Sequence, residues 1–267
     1  MKGRVLIIAG SDPSGGAGIQ ADIKTVTALG GYAAAAITAL TVQNTRGVSA
    51  VRPVAPKLVR EQIVAVLEDI GADVIKIGMI GEAGAAEAIA EVLGRFPDIP
   101  LVLDPVLIAT SGDALAGEGV AGVILNALAP RAALITPNAE EAAALTGHEV
   151  TSEEDLVAAG RALMKAGAGA ALVKGGHLQG ETVTDVLVSH EGRKLFRNPR
   201  IETTSTHGTG CTLASAIATS LAQGYPLEAA CERAISYVRE ALRTAPGYGA
   251  GCGPLNHAHT VKGDCRG

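Results

Sequence analysis

Thr206-His207-Gly208-Thr209-Gly210-Cys211 runs directly into the Ala-rich stretch 212–218. Glycines at 208 and 210 let the backbone take dihedrals that other residues resist, so successive N–H groups can converge on one point. The segment that follows has high helix propensity. The first N–H groups of a helix lack intrahelical partners, and the helix dipole adds partial positive charge there. A phosphate or a developing oxyanion fits such a site. Cys211 falls at or beside the first helical position, where a thiol is expected to shift toward thiolate. An ordinary N-cap followed by an inert buried cysteine accounts for the same residues. Taken alone, the stretch is an anion site with a candidate base.

Other residues of the right type stand after short apolar runs. Asp104 follows one, and Asn138 with Glu141 forms an N-x-x-E pattern after another, placing an amide and a carboxylate one helical turn apart. Such oxygen donors suit Mg²⁺ and its waters, although Asn138 as an N-cap with Glu141 in the first turn is an equally simple reading. Lys174 ends an apolar run, where a charge is uncommon unless it meets an anion or a carboxylate. Gln43 carries a primary amide that can pair two-pronged with an aminopyrimidine edge, or merely bond its own loop. An anion hole, a lysine, a carboxylate pair and a candidate base together suit phosphoryl transfer.

These residues need a scaffold that brings them to one edge. Short apolar runs at 5–9, 34–42, 74–77, 101–103, 133–135 and 170–173 alternate with helical patterns at 19–29, 56–70, 151–166, 211–223 and 227–243. That alternation predicts parallel strands covered on both faces, with ligands at the carboxyl ends of the strands. Residues 48–51 are expected to return as a small flap, and 186–189 with 194–196 as a β-hairpin. With no internal repeat and no linker, the prediction is one doubly wound α/β domain over 1–259 and a loose tail over 260–267. Two nucleotide motifs fail on inspection. Gly16-Ala17-Gly18-Ile19-Gln20-Ala21 fits G-x-G-x-x-A, but no acidic residue lies between Asp22 and Glu61 to hold a ribose. Gly10 and Gly15 have P-loop spacing, but Gly16-Ala17 stand where Lys and Ser or Thr are needed.

Composition narrows the partners. Of 267 residues 48% are apolar but only 2% aromatic, with no Trp, which argues against a reader of stacked bases. The net charge of −5 argues against general polyanion binding, so any phosphate site must be local. No apolar run approaches the ~20 residues of a membrane helix. The four cysteines show no CxxC spacing, which leads to the expectation of a reduced, cytoplasmic protein without nucleic-acid or membrane partners.

The chain resembles the ribokinase-like kinases, and among them the hydroxymethylpyrimidine/phosphomethylpyrimidine kinases of thiamine biosynthesis. The resemblance is carried by the stretch Ala9 to Asp22, by Ile37-Thr38-Ala39-Leu40 with Gln43-Asn44-Thr45, and by Lys76-Ile77-Gly78-Met79. Leu134-Ile135-Thr136-Pro137-Asn138, Lys174-Gly175-Gly176-His177 and Thr206 to Cys211 complete it. It implies a three-layer sandwich with a mainly parallel sheet and a small flap, commonly as a homodimer. It places the pyrimidine against Gly10, Asp22, Gln43, Met79 and Val106. ATP phosphates would lie by Lys174, Thr206, Gly208, Thr209 and Gly210, with Mg²⁺ near Asp104, Asn138 and Glu141. Cys211, where related kinases carry Asp, would be the base in two successive phosphorylations. The rival readings are a pyridoxal kinase, a cysteine hydrolase pairing Cys211 with His207, and a nucleotide-binding regulator without turnover.

Overall fold

Strand and helix alternate in the computed structural model, which describes residues 1–109, 112–113, 115–176 and 178–261. The strands are β1 (Arg4–Ser11), β2 (Tyr32–Asn44), β3 (Gly47–Pro53), β4 (Val74–Ile77), β5 (Leu101–Leu103), β6 (Ala132–Ile135), β7 (Ala171–Val173), β8 (Thr182–Ser189) and β9 (Gly192–Pro199). They form one sheet in the order β3-β2-β1-β4-β5-β6-β7-β8-β9. From β2 to β7 neighbours pair in parallel, while β3, β8 and β9 join antiparallel. The helices are α1 (Gly18–Ala28), α2 (Pro56–Asp69), α3 (Ala83–Leu93), α4 (Val120–Val123), α5 (Ala139–Thr146), α6 (Glu153–Lys165), α7 (Thr209–Ala222) and α8 (Leu227–Arg243).

The period of two in the strands decides the layers. Leu6 and Ile8 of β1, Ile75 and Ile77 of β4, and Leu101 and Leu103 of β5 pack in one core with α2, α3, α5 and α6. Their alternates Val5, Ile7, Val74 and Val102 pack in the other with α1, α7 and α8. The result is the expected three-layer sandwich. Lys76 shares the strand face of Val74 and so points among α1 and α7, fully buried. There its Nζ lies 2.9 Å from Asp22 Oδ2 of α1. Asp22 Oδ1 in turn accepts the Ser215 hydroxyl of α7 at 2.7 Å.

Helix α7 is deeply enclosed, with every residue from Thr212 to Ser220 buried. Its buried hydroxyls are tolerated there because they find acceptors, Ser215 at Asp22 and the others at carbonyls of the helix and its cap. Thr212 donates to Gly208 O at 2.8 Å and Thr219 to Ser215 O at 2.7 Å. The flap is β3 folded back on the part of β2 that outruns β1, and it leaves Leu40 and Val42 of β2 53% and 59% exposed. The predicted hairpin is longer than the sequence indicated and forms the whole of β8 and β9. Between β5 and β6 the chain makes α4 and a π-helical turn, Ile124–Leu128, that sequence periodicity did not signal. Thr260, assigned to the loose tail, donates to Ala28 O at 2.8 Å, so the fixed chain reaches at least this far. Residues 262–267 of that tail lie outside the described residues.

Candidate active site

A cavity of about 630 Å³ opens along the carboxyl ends of the parallel strands. Its walls carry Gly10, Gln43, Met79 and Val106 from one group of predicted residues. From the other come Asp104, Asn138, Glu141, Lys174, Thr206, Gly208, Thr209, Gly210 and Cys211. Asp22 is the exception. Expected beside the substrate, it lies beneath the wall, fully buried in its ion pair with Lys76. It follows Gly18 by one helical turn on the inner face of α1, which turns its carboxylate toward the core.

The turn into α7 has the form its glycines allow. Gly208 is the N-cap, with φ 84° and no side-chain capping bond. A Cβ at Gly208 would overlap the Gly16 carbonyl oxygen, so only glycine lets the turn approach the 12–17 loop. A Cβ on Gly210 would sit 3.2 Å from Lys174 Nζ and 3.6 Å from Asp104 Oδ2. The backbone N–H groups at the start of α7 therefore face a lysine and a carboxylate across a gap kept open by the missing side chain.

Lys174 follows β7, where Lys174 N–H donates to Pro137 O at 2.8 Å and sets it beside Asn138. Its Nζ is 3.1 Å from Asp104 Oδ1 and 3.9 Å from Glu141 Oε2. Burial works against the ammonium, yet the two carboxylates raise its pKa above the ordinary lysine value. Burial pushes the Glu141 carboxyl up, with Lys174 pulling it back and Asp104 adding to the rise. Two buried carboxylates thus share one cation. Asp104 Oδ2 is buried without a hydrogen-bond partner, an orphaned acceptor of the kind a divalent cation satisfies. Asn138 lines the cavity as expected and is also the N-cap of α5. Its Oδ1 accepts Glu141 N–H at 2.8 Å, while Glu141 Oε2 accepts Asn138 N–H at 2.8 Å, a complete capping box on α5. Glu141 is a member of the same box, and with Asp104 it supplies the buried carboxylates that face Lys174.

Cys211 is the third residue of α7, one place beyond the first position or its neighbour. The expected shift toward thiolate is reversed. Although the residue opens onto the cavity, burial pushes its thiol up to about 12; Lys76 opposes this, while Asp22 and Asp104 add to it. Desolvation outweighs the helix dipole here because the surrounding charges are themselves buried.

His207, considered as a partner for Cys211, instead meets Asp12, with its Nε2 2.8 Å from Asp12 Oδ2. Asp12 is 2% exposed and also accepts from Ser14, Gly16 and Ala17. This pair was not legible in the sequence, because its members stand 195 residues apart. Arg200 also escaped notice. It lines the cavity and donates to Gly180 O at 2.8 Å and to Gly176 O at 2.9 Å, fixing the chain beyond Lys174. His177, part of the Lys174-Gly175-Gly176-His177 motif, lies outside the described residues.

A family model described as phosphomethylpyrimidine kinase matches residues 12–256. A hydroxymethylpyrimidine/phosphomethylpyrimidine kinase of Rhizobium meliloti is 47% identical over 95% of this chain and 96% of its own. A thiamine biosynthesis bifunctional protein of Geobacter sulfurreducens is 48% identical over 96% of this chain. The chain spans only 52% of that protein's length. Among solved structures, the phosphomethylpyrimidine kinase of Clostridium difficile is similar at TM-score 0.80 and 40% identity, over 90% of this chain and 99% of its own. An ADP complex of Bacillus subtilis pyridoxal kinase is similar at TM-score 0.88 and 31% identity, over 97% and 98%.

Proposed function

The chain belongs to the phosphomethylpyrimidine kinase family, and on that footing we propose that it phosphorylates 4-amino-5-hydroxymethyl-2-methylpyrimidine and then its monophosphate. ATP is the donor, and the diphosphate produced serves thiamine biosynthesis. The observation that carries this reading is the single cavity joining two half-sites. At one side are Gln43, Met79, Val106 and Gly10, and at the other the α7 turn, Lys174 and Asp104.

In the first step the hydroxymethyl oxygen bonds to the γ-phosphorus as the bridging oxygen leaves with ADP. The proton of the alcohol passes to Cys211 Sγ, acting from its thiolate. The N–H groups of Gly210 and Cys211 and the Lys174 ammonium stabilise the charge spread over the transferring oxygens, while the Thr209 N–H closes the turn on Thr206 O. Gln43, whose Oε1 accepts the Thr41 hydroxyl at 3.2 Å, faces the aminopyrimidine edge. Mg²⁺, when bound, neutralises phosphate charge, and Asp104 with Glu141 would hold it. In the second step the attacking atom is a phosphate oxygen, and the same groups serve.

The expected homodimer would cover the exposed Leu40 and Val42 of the flap. Free thiols at Cys211, Cys231 and Cys252 suit the cytoplasm, and no helix among the described residues is long and apolar enough to cross a membrane. ADP release should be seen with the hydroxymethylpyrimidine and with its monophosphate, and should exceed that with pyridoxal or ribose. The same preparation should scatter light as twice the 26.8 kDa chain. A preference for pyridoxal would favour the activity named for the Bacillus relative, and no turnover on any of the four would overturn a kinase.

A further inference from the structure

We propose that Asp12 and His207 form a positioning clasp that sets the distance between the pyrimidine and the phosphoryl donor. The inference rests on the kinase reading and adds to it a pair of residues acting through the groups they hold. The Asp12 carboxylate collects donors from two parts of the chain. From its own loop come Ser14 N–H at 2.8 Å, Ser14 O–H at 2.9 Å, Gly16 N–H at 3.1 Å and Ala17 N–H at 2.8 Å. From the α7 turn comes His207 Nε2 at 2.8 Å. An acceptor carboxylate requires Nε2 to carry a proton, so the ring is fixed as a donor here. Burial disfavours the ionised Asp12, yet the bonds from His207, Ser14 and Ala17 hold its pKa below the usual carboxylate range.

Each end of the clasp is continuous with one half-site. Asp12 is two residues beyond Gly10, whose N–H donates to Met79 O at 3.1 Å in the wall assigned to the ring. His207 immediately precedes Gly208, the N-cap of the anion site, and its own N–H donates to Gly253 O at 3.0 Å. The two segments touch with no slack. A Cβ on Gly16 would overlap the His207 ring, and one on Gly208 would overlap the Gly16 carbonyl. One carboxylate therefore registers the ring wall and the phosphate turn against each other. Removing the bond lets the two walls drift, and a misplacement of about 1 Å can cost on the order of 10²-fold in rate.

The test is steady-state kinetics on the hydroxymethylpyrimidine with wild type, His207→Leu, His207→Gln, His207→Asn and Asp12→Asn, each checked for a cooperative melt. The Gln amide nitrogen reaches where imidazole Nε2 stood, and the Asn amide is too short. We expect His207→Leu and His207→Asn to lose about 10- to 100-fold in kcat while both KM values move less than about threefold. His207→Gln should regain most of the loss. The double variant Asp12→Asn/His207→Asn should be no worse than the poorer single variant, since one bond is lost only once. If Leu does not fold, the Gln and Asn pair decides. Equal rates for Gln and Asn, a loss confined to KM, or losses that multiply would each overturn the clasp. A folded wild type without kinase activity would overturn the kinase reading and the clasp with it.

Discussion

At Cys211 two local effects compete. The start of a helix favours a thiolate, and enclosure by protein disfavours it; enclosure prevails and leaves the thiol near 12. A neutral thiol cannot take a proton, so a base role leaves a signature in pH. The thiolate fraction rises tenfold per pH unit below the thiol pKa, and kcat on the alcohol should climb with pH through 6–9 in that proportion. The monophosphate already has its attacking oxygen largely ionised, with a second pKa of ~6, so its rate should be flatter. Cys211→Ala should lower kcat on the alcohol by roughly 10²–10⁴-fold and flatten its pH profile, with a smaller loss on the monophosphate. Rate profiles for both substrates in both proteins check this, and an unchanged alcohol rate would leave Cys211 as packing only. The helix-end part of this balance was legible in the sequence. The enclosure was not, because it is built by segments far apart in the chain, as are the charges that act on the thiol, Lys76 against the rise and Asp22 and Asp104 with it.

At the scale of an element, α5 shows one pattern serving two ends. Asn138-x-x-Glu141 was read both as a cap and as a cation site, and the structure completes the cap while leaving Glu141 beside Asp104 and Lys174. Asn138→Ala should cost about 1 kcal/mol of stability, the usual price of a lost N-cap, and leave the Mg²⁺ requirement in place. Glu141→Gln keeps the shape but removes a charge, so it should raise the Mg²⁺ concentration needed for half-maximal turnover. Melting curves and Mg²⁺ titrations separate the two, and an equal Mg²⁺ shift in both variants would contradict the division. Most elements were legible because their patterns are strong. Val5 to Ala9 is a bounded apolar run, and even the Ala-rich β2 was recognisable, although alanine favours helix, because Ile37 and Val42 sit between turn signals. The turn at Ile124–Leu128 was not legible as a π turn, since the buried Val120, Ile124 and Leu128 recur every four residues as they would in an α-helix.

Across the whole molecule, the last described residues close over α7. His257 is 5% exposed with its Nε2 3.0 Å from Thr212 Oγ1, and Tyr237 donates to His257 O at 2.6 Å. The Thr212 proton goes to Gly208, so His257 Nε2 donates to the Thr212 oxygen. Burial, with Lys24, His259 and His207 nearby, pushes its pKa down to about 4. The unfolded chain takes up this proton near pH 6.5 and the folded one only near 4, so stability falls as pH falls between those values, by roughly 3 kcal/mol at most. Glu141, with its raised pKa, acts in the opposite direction, so the contribution is read as the difference between wild type and His257→Gln. Denaturant unfolding from pH 7.5 to 4.5 should show wild type losing ground to the variant, and a constant gap would refute it. Such tertiary pairs were beyond the sequence for one reason: Asp22 finds Ser215 and Asp12 finds His207 across 193 and 195 residues. That separation also sets a clock. At roughly 5–20 residues per second, a ribosome releases β1 about 10–40 s before the residues that complete its site. Throughout that interval Val5 and Ile7 have no α7 to cover them, which makes the half-synthesised chain a natural client for a chaperone.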